Sequence, residues 1–207
     1  MRLGVFGGSF NPPHVAHLAV AEAAAEAARL ERVLWVPAAT PPHKQRTAAL
    51  APARHRLAMT RLAVAGNPRF AVSDLEVARA GISYTVDTLR ALAAAHPEAT
   101  LALLLGGDSL AAFLSWREPE AIAHLAELVV YARPGSAAEP PPGLPAHARL
   151  VRVGAPALDV SSTALRARLA AGKTVRYLVP DAVRAYIAEH GLYGTAPRSA
   201  GPPRHHP

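Results

Sequence analysis

The segment from Leu3 to Leu18 constrains the fold of this chain more than any other. A short apolar run, Leu3–Phe6, leads into Gly7 and Gly8 and then into an alanine-rich stretch that favours a helix. A strand, a glycine turn and a helix start in that order form a good anion site, because glycine lets the backbone come close and free amides of the helix N-terminus point at the anion. The segment therefore predicts a phosphate-binding turn.

Polar residues indicate where the first helix begins. Asn11 precedes a proline, a position that avoids helical angles, so we expect it to cap the helix with Pro12 and Pro13 in the first turn. His14 and His17 are three residues apart and share a helix face, where both can donate hydrogen bonds to phosphate oxygens. A zinc site at these histidines is the alternative, but the segment lacks a third ligand and the spacing of H-E-x-x-H.

Apolar runs alternate with helical stretches along the chain. Strands are predicted at Leu3–Phe6, Arg32–Val36, Phe70–Ser73, Leu101–Leu105, Leu128–Ala132 and Ala148–Val153. Helices are predicted near residues 14–29, 53–65, 83–95, 108–114, 118–126, 162–171 and 180–190. This order indicates an α/β fold, a doubly wound and mostly parallel sheet, with a small C-terminal helical part over about residues 160–193.

Ligands of such sheets bind beyond the carboxyl ends of the strands. That rule places the first glycine turn, the loop after Val36 and the loop after Leu105 along one edge. We expect one domain over residues 1–193 and a disordered tail over 194–207. Arg133–Pro145 is predicted to be a proline-rich surface loop.

Composition excludes several classes of protein. The 207 residues contain no cysteine, which excludes disulfides, thiolate metal sites and cysteine nucleophiles. No apolar run reaches the roughly 18 residues that span a bilayer, and the chain starts directly with a strand, so we expect a cytoplasmic protein without membrane contact. The formal charge of +7 indicates nucleic acid or small polyanions as partners. Small polyanions are favoured, because no dense basic block with interleaved aromatic residues is present.

Two motifs follow the second and third predicted strands. In Pro41-Pro42-His43-Lys44 the prolines predict an extended loop from which His43 and Lys44 project. Taken alone, this motif is better explained as a surface turn with solvated charges. Ser83-Tyr84-Thr85-Val86-Asp87-Thr88-Leu89 opens a helix, for which Ser83 or Thr85 is the expected cap. Capping and core packing account for most of this second motif without any ligand.

A third motif, Gly106-Gly107-Asp108-Ser109, ends the fourth predicted strand. Its glycines permit a ligand close to the backbone, and Asp108 either binds a ribose hydroxyl or caps the next helix. Trp116 follows soon after, and a lone tryptophan is more often a core residue than a ligand platform.

The last motif is Val160-Ser161-Ser162-Thr163-Ala164-Leu165-Arg166. Ser161 or Ser162 is expected to cap a helix, whose free amides make an anion site. Ser162 and Arg166 are four residues apart and share a face, and the planar fork of arginine suits phosphate oxygens.

The motifs together resemble one superfamily. The segment from Gly8 to His17 is similar to the G-S-F-[DN]-P-x-H-x-G-H signature of Rossmann-like adenylyl- and cytidylyltransferases, with Ala16 in place of the usual glycine. Val160–Arg166 resembles their I-S-S-T-x-[IV]-R motif. The other motifs resemble the P-P-H-K, S-Y-T-x-D-T-L and G-x-D-x-[LF]…W segments of the nicotinate mononucleotide adenylyltransferases, and the likeness extends from Met1 to about Tyr193.

This resemblance implies a Rossmann-like fold and a reaction that joins ATP to nicotinate mononucleotide, releasing deamido-NAD and pyrophosphate by in-line attack without a covalent enzyme intermediate. Mg²⁺ is expected on the ATP phosphates, with no metal site on the protein. A homo-oligomer is possible, and no nucleic acid is expected as a partner. Acceptance of nicotinamide mononucleotide or phosphopantetheine instead is the nearest alternative, and a basic nucleic-acid-binding module is a remote one.

The resemblance also implies roles for particular residues. The implied catalytic residues are His14, His17 and Arg166. The implied ATP-binding residues are Gly7, Gly8, Ser9, Phe10, His14, His17, Gly106, Asp108, Ser161, Ser162 and Arg166. The implied substrate-binding residues are Lys44, Tyr84, Thr85, Trp116 and Arg133, with Trp116 stacking on the pyridine ring.

Overall fold

The core of the fold is a parallel sheet, which the computed structural model describes within residues 1–42, 50–131 and 139–195. Its strands are β1 Arg2–Gly8, β2 Arg32–Pro37, β3 Phe70–Val72, β4 Thr100–Gly106, β5 Ala126–Tyr131 and β6 Leu150–Val153. They lie in the order β3-β2-β1-β4-β5-β6, and each neighbouring pair is parallel. This is the strand order of a doubly wound Rossmann-like sheet, so the predicted fold class is confirmed.

Helices cover both faces of the sheet. They are α1 Val15–Ala27, α2 Ala53–Val64, α3 Leu75–Arg79, α4 Thr85–Ala95, α5 Gly107–Ala111, α6 Pro119–Leu125, α7 Ser162–Ala170 and α8 Asp181–Glu189, with 3₁₀ turns at Phe113–Ser115 and Leu192–Gly194. The predicted helices are confirmed with ends shifted by a few residues. The sequence did not predict α3, because five residues are too few to show a helical period. None of the described helices has the length and apolar character needed to cross a membrane.

Alternate residues of the central strand β4 point to opposite faces, as the period of a strand requires. Leu101, Leu103 and Leu105 join a core cluster with α4 and α6, whereas Ala102 and Leu104 join a second cluster with α1. A buried leucine contributes roughly 1.5–3 kcal/mol. A strand buried on both faces therefore needs the continuous apolar run by which the sequence predicted it.

A third core cluster joins the C-terminal helices to the rest of the molecule. Met59 and Ala63 of α2 pack with Leu165 of α7 and with Val183 and Ile187 of α8. This packing fixes the start of α7 beside the end of β1. It also supports one domain over residues 1–193, which stays a prediction, and the predicted tail lies outside the described residues from 196 onward.

Two predicted helix caps are wrong. α1 is capped by His14, in extended conformation, and not by Asn11, whose peptide bond to Pro12 is cis. α4 is capped by Tyr84, without a side-chain bond, and not by Ser83 or Thr85. Asn11 Oδ1 instead accepts hydrogen bonds from the Ala51 amide at 3.1 Å and the Tyr193 hydroxyl at 2.8 Å, and Ser83 Oγ accepts one from the Ala39 amide at 2.9 Å. Both side chains that were expected to cap helices bond instead to residues distant in sequence. A local sequence pattern does not reveal such bonds.

Candidate active site

A cavity of about 330 Å³ lies where the carboxyl end of β1 meets the start of α7. We call it the central cavity. The first and last sequence motifs supply most of its wall: Gly7, Gly8, Ser9, Phe10, Asn11, His14, His17, Val160, Ser161, Ser162, Thr163 and Arg166, with Phe6, Ser109 and Tyr131 completing it. Nine of the predicted ATP-binding residues thus line one space.

The turn after β1 is shaped by Phe10. Its backbone has φ of 44°, a left-handed conformation that costs a non-glycine residue roughly 1–3 kcal/mol. Burial of its ring against Phe6 and Trp35, with centroids 5.5 and 5.1 Å away, offsets this cost. A Cβ on Gly8 would lie 2.9 Å from the Phe10 ring, so the turn requires glycine at that position.

His14 and His17 lie together in the central cavity, with ring centroids 3.7 Å apart. The His14 amide donates a hydrogen bond to Nδ1 of His17 at 3.2 Å. In the neutral imidazole the proton must then sit on Nε2, so that Nε2–H is the ring donor of His17. The Phe10 ring packs against His17 at 5.3 Å and helps to fix its orientation.

Hydrogen bonds join the start of α7 to the β1 turn. Ser161 caps α7 as predicted, since its Oγ accepts a bond from the Ala164 amide at 3.2 Å. Ser162 Oγ donates to the Pro12 carbonyl and Arg166 Nη1 to the Asn11 carbonyl, each at 2.9 Å. Two motifs 150 residues apart therefore form one wall.

The charge of the central cavity favours an anion. Arg166 carries a positive charge at its wall, and its buried Nε has no hydrogen-bond acceptor in the described part of the chain. The described residues that line the cavity include no aspartate or glutamate. Among the described residues, the one group of three potential metal ligands lies elsewhere, on the surface at Glu120, His124 and His147, and the zinc alternative finds no third ligand beside His14 and His17.

A second pocket of about 170 Å³, the aromatic pocket, lies at the N-terminus of α4. Tyr84, Thr85 and Trp116, which the resemblance implied for substrate binding, line it together with Arg117. The Arg117 guanidinium lies over the Tyr84 ring, 4.8 Å from its centroid. The pocket thus combines a flat aromatic wall with free helix amides and a cation.

A bridging cavity of about 270 Å³ connects these two sites. It shares Gly8, Ser9 and Ser109 with the central cavity and Thr85 and Trp116 with the aromatic pocket. A further cavity of about 300 Å³ shares His14, His17 and Tyr131 with the central cavity. Its wall mixes polar and apolar residues, with Ala16, Val20, Pro156, Leu158, Asp159, Val160 and Ser161 as the other members. The carboxyl edge of the sheet therefore carries a continuous groove.

Comparison with known proteins decides the family. The family described as cytidylyltransferase-like matches residues 5–168. The chain is 51% identical over 200 residues to a protein of Salinibacter ruber named "probable nicotinate-nucleotide adenylyltransferase", with 93% of this chain and 98% of that protein covered. A protein of Thermus thermophilus with the same name is 49% identical over 193 residues, covering 93% of this chain and 100% of the relative. This chain belongs to the nicotinate-nucleotide adenylyltransferase family.

A solved structure of the family has the same fold. The Plasmodium falciparum nicotinic acid mononucleotide adenylyltransferase in complex with NaAD superposes with a TM-score of 0.76 at 21% identity, covering 93% of this chain and 97% of that one. The fold similarity therefore covers nearly the whole of both chains.

Two of the residues that the family resemblance implied for ATP binding, Gly106 and Asp108, do not line the central cavity. Gly106 lines the bridging cavity, whereas Asp108 is exposed in the first turn of α5. The residue that caps α5 is Gly106, so the prediction that Asp108 caps this helix is wrong. Lys44 and Arg133, together with His43, lie outside the described residues.

Sequence reasoning missed other residues at the groove of this family member. Ser109 lines both the central and the bridging cavity, and Tyr131 lies at the end of β5 in three of the four cavities. Glu76 lines the bridging cavity and accepts a bond from Thr88 Oγ1 at 2.5 Å. Ser109 stands in the third motif but was given no role there, and the only signal of Tyr131 was its position near a strand end. Glu76 follows the short β3 in a helix that the sequence did not predict.

Proposed function

We propose that this chain transfers the adenylyl group of ATP to nicotinate mononucleotide, giving deamido-NAD and pyrophosphate in NAD biosynthesis. The observation that carries this proposal is the continuous groove. It offers a cavity with apolar side chains such as Val20, Pro156 and Leu158 for a base, an anion-binding centre for a triphosphate, and an aromatic pocket for a planar ring with a carboxylate. Family membership supports the same reaction.

In the proposed mechanism the mononucleotide phosphate attacks the α-phosphorus of ATP in line, and pyrophosphate leaves. The protein supplies position and charge stabilisation, without forming a covalent bond. His17 donates its Nε2–H to an oxygen of the α-phosphate, where charge is redistributed in the transition state. His14, buried beside it, contacts the neighbouring phosphates.

Arg166 and the first turn of α7 hold the leaving pyrophosphate in this proposal. Arg166 is already oriented by its bond to the Asn11 carbonyl, and its buried Nε, which has no acceptor among the described residues, can donate to a phosphate oxygen. Ser162 contributes its backbone amide, since its hydroxyl is occupied by the Pro12 carbonyl. Held in this way, the donors need little rearrangement when negative charge builds up on the leaving group.

We propose that Mg²⁺ binds through the ATP phosphates and keeps several waters, which suits a central cavity lined by no described carboxylate. When bound, the ion neutralises charge on the polyphosphate. A Cβ at Gly7 would meet no atom of the described residues within 4 Å apart from its own chain neighbours, so the position leaves space for the triphosphate and its ion.

The aromatic pocket is the basis for the proposed acceptor. The Trp116 ring gives a flat face for the pyridine, and the amides at the start of α4 suit a carboxylate because of the positive end of the helix dipole. Arg117 adds a positive charge beside Tyr84. An uncharged amide gains less from this arrangement, which favours nicotinate over nicotinamide mononucleotide.

The proposed adenylyl transfer can be tested with labelled ATP. With ATP labelled at the α-phosphate, the label is expected in the dinucleotide product and not in pyrophosphate. Acid-quenched protein should carry no label, since no covalent intermediate is proposed. Label retained on the protein, or pyrophosphate that carries it, would contradict the mechanism.

A further inference from the structure

Arg56 of α2 is the most deeply buried charged side chain among the described residues, with 1% of its surface exposed. Burial lowers the pKa of its guanidinium, but an arginine still keeps its proton at neutral pH. A buried charge is retained only where hydrogen bonds compensate for the lost water. The bonds of Arg56 therefore show which parts of the molecule depend on it.

Each bond of Arg56 goes to a backbone carbonyl. Nε donates to Ala51 at 2.9 Å, Nη1 to Ser9 at 2.9 Å and Nη2 to Ala39 at 2.8 Å. These carbonyls belong to the turn after β1, the loop after β2 and the segment before α2. One planar group thus sets the separation of three loops.

Each of these three loops either lines the groove or bonds to a residue that lines it. Ser9 lines both the central and the bridging cavity. The Ala39 amide donates to Oγ of Ser83, which lines the aromatic pocket just before α4. The Ala51 amide donates to Oδ1 of Asn11, whose carbonyl accepts the bond from Arg166.

We propose that Arg56 is a positioning residue for adenylyl transfer, whose guanidinium fixes the distance between the central cavity and the aromatic pocket. The inference rests on the proposed function, because these two sites would hold the two reacting substrates. The distance between them determines how the mononucleotide phosphate approaches the α-phosphorus. Lysine cannot replace this role, since its ammonium lacks a rigid planar fork of donors.

The test compares Arg56→Lys with Arg61→Lys. Both changes keep the charge and both lie on α2, but Arg61 is exposed and paired with Asp74 at 3.1 Å. We expect Arg56→Lys to lower kcat by about 10- to 100-fold, because a misplacement of about 1 Å can have that effect. The Kd for ATP alone should change less than about threefold, since ATP does not span both sites. Arg61→Lys should keep the wild-type kcat.

A purely structural role predicts a different result. In that case Arg56→Lys lowers Tm, while kcat measured well below Tm stays within about twofold of wild type. That outcome would overturn the inference while leaving the proposed function intact. A wild-type protein that releases no pyrophosphate with any acceptor would instead refute the proposed function.

Ser83→Ala provides a second test that does not depend on the folding of Arg56→Lys. It removes the bond from the Ala39 amide and leaves Arg56 in place. We expect a higher KM for the mononucleotide and a several-fold lower kcat, with an unchanged Kd for ATP. An unchanged kcat and KM in Ser83→Ala would contradict the proposed link from Arg56 to the aromatic pocket.

Discussion

The two histidines of the central cavity, three residues apart, form a capping box at the start of α1. Nδ1 of His17 accepts a bond from the His14 amide, so the remaining ring proton of a neutral His17 lies on Nε2. The tautomer and orientation of the imidazole are thereby set before any substrate binds. Such a preset donor requires little reorganisation during the reaction.

At this scale we predict the effect of His17→Ala. Loss of one preset donor should lower kcat by about 10²- to 10³-fold. The Kd for ATP should change far less, because the contact strengthens in the transition state. Steady-state kinetics and calorimetric titration with ATP measure the two quantities. His147→Ala, an exposed histidine away from the groove, is the matched control, and unchanged turnover of His17→Ala would remove this residue from the mechanism.

At the scale of elements, the start of α7 links stability to binding. Ser161 Oγ bonds to the Ala164 amide, and its removal should cost about 1 kcal/mol. Ser161→Ala should therefore lower the free energy of unfolding by that amount and raise the KM for ATP, because the helix start forms part of the central cavity. Chemical denaturation and initial rates test both effects. Ser161→Asn should restore the stability, since asparagine caps as well as serine, and failure to do so would contradict the capping role.

A pH-dependent contact joins α2 to α8. Nδ1 of His55 bonds to the Tyr186 hydroxyl at 2.9 Å, and Tyr186 stacks on His190 with centroids 3.9 Å apart. Burial, followed by the charges of Arg54 and His190, lowers the pKa of His55 below its ordinary 6.5. As the pH falls below 6.5, His55 therefore becomes protonated in the unfolded chain at a higher pH than in the folded protein. The stabilising contribution of neutral His55 is complete above that pH and is lost below it.

This contact predicts how Tm depends on pH. Between about pH 7 and 5 the Tm of the wild type should fall more steeply than that of His55→Gln, since glutamine can bond to Tyr186 but does not titrate in this range. Thermal unfolding across this range measures the difference. Parallel curves for the two proteins would show that His55 does not contribute.

The elements also show how far the sequence predicts this structure. Apolar runs predicted all six strands, and several of these runs are continuous because the central strands, such as β4, are buried on both faces. The first glycine turn was expected at the carboxyl edge of the sheet, and it supplies six of the nine predicted ATP-binding residues in the central cavity. The other three come from the start of α7, which the edge rule did not place. The sequence could not predict the structural roles of Asn11, Ser83 and Arg56, because the side chain of each bonds to loops distant in sequence. An arginine in an amphipathic helix gives no sign that it is buried.

At the scale of the whole molecule, the groove forms where the parallel strands end. β1, β2 and β4 all end at one edge, and α7 reaches that edge because the third core cluster holds it against α2 and α8. The groove thus depends on the complete topology. A homo-oligomer and the absence of a nucleic-acid partner stay predictions, as do the roles of Lys44 and Arg133.

The central claim concerns the acceptor, and pyrophosphate release with ATP and Mg²⁺ tests it most directly. Nicotinate mononucleotide, nicotinamide mononucleotide and phosphopantetheine are offered in parallel. We predict that kcat/KM for the nicotinate compound exceeds that for the nicotinamide compound at least about tenfold, a difference of about 1.4 kcal/mol in transition-state binding. Preference for the amide or for phosphopantetheine would contradict the assignment of the aromatic pocket, and no release with any of the three would contradict the proposed function.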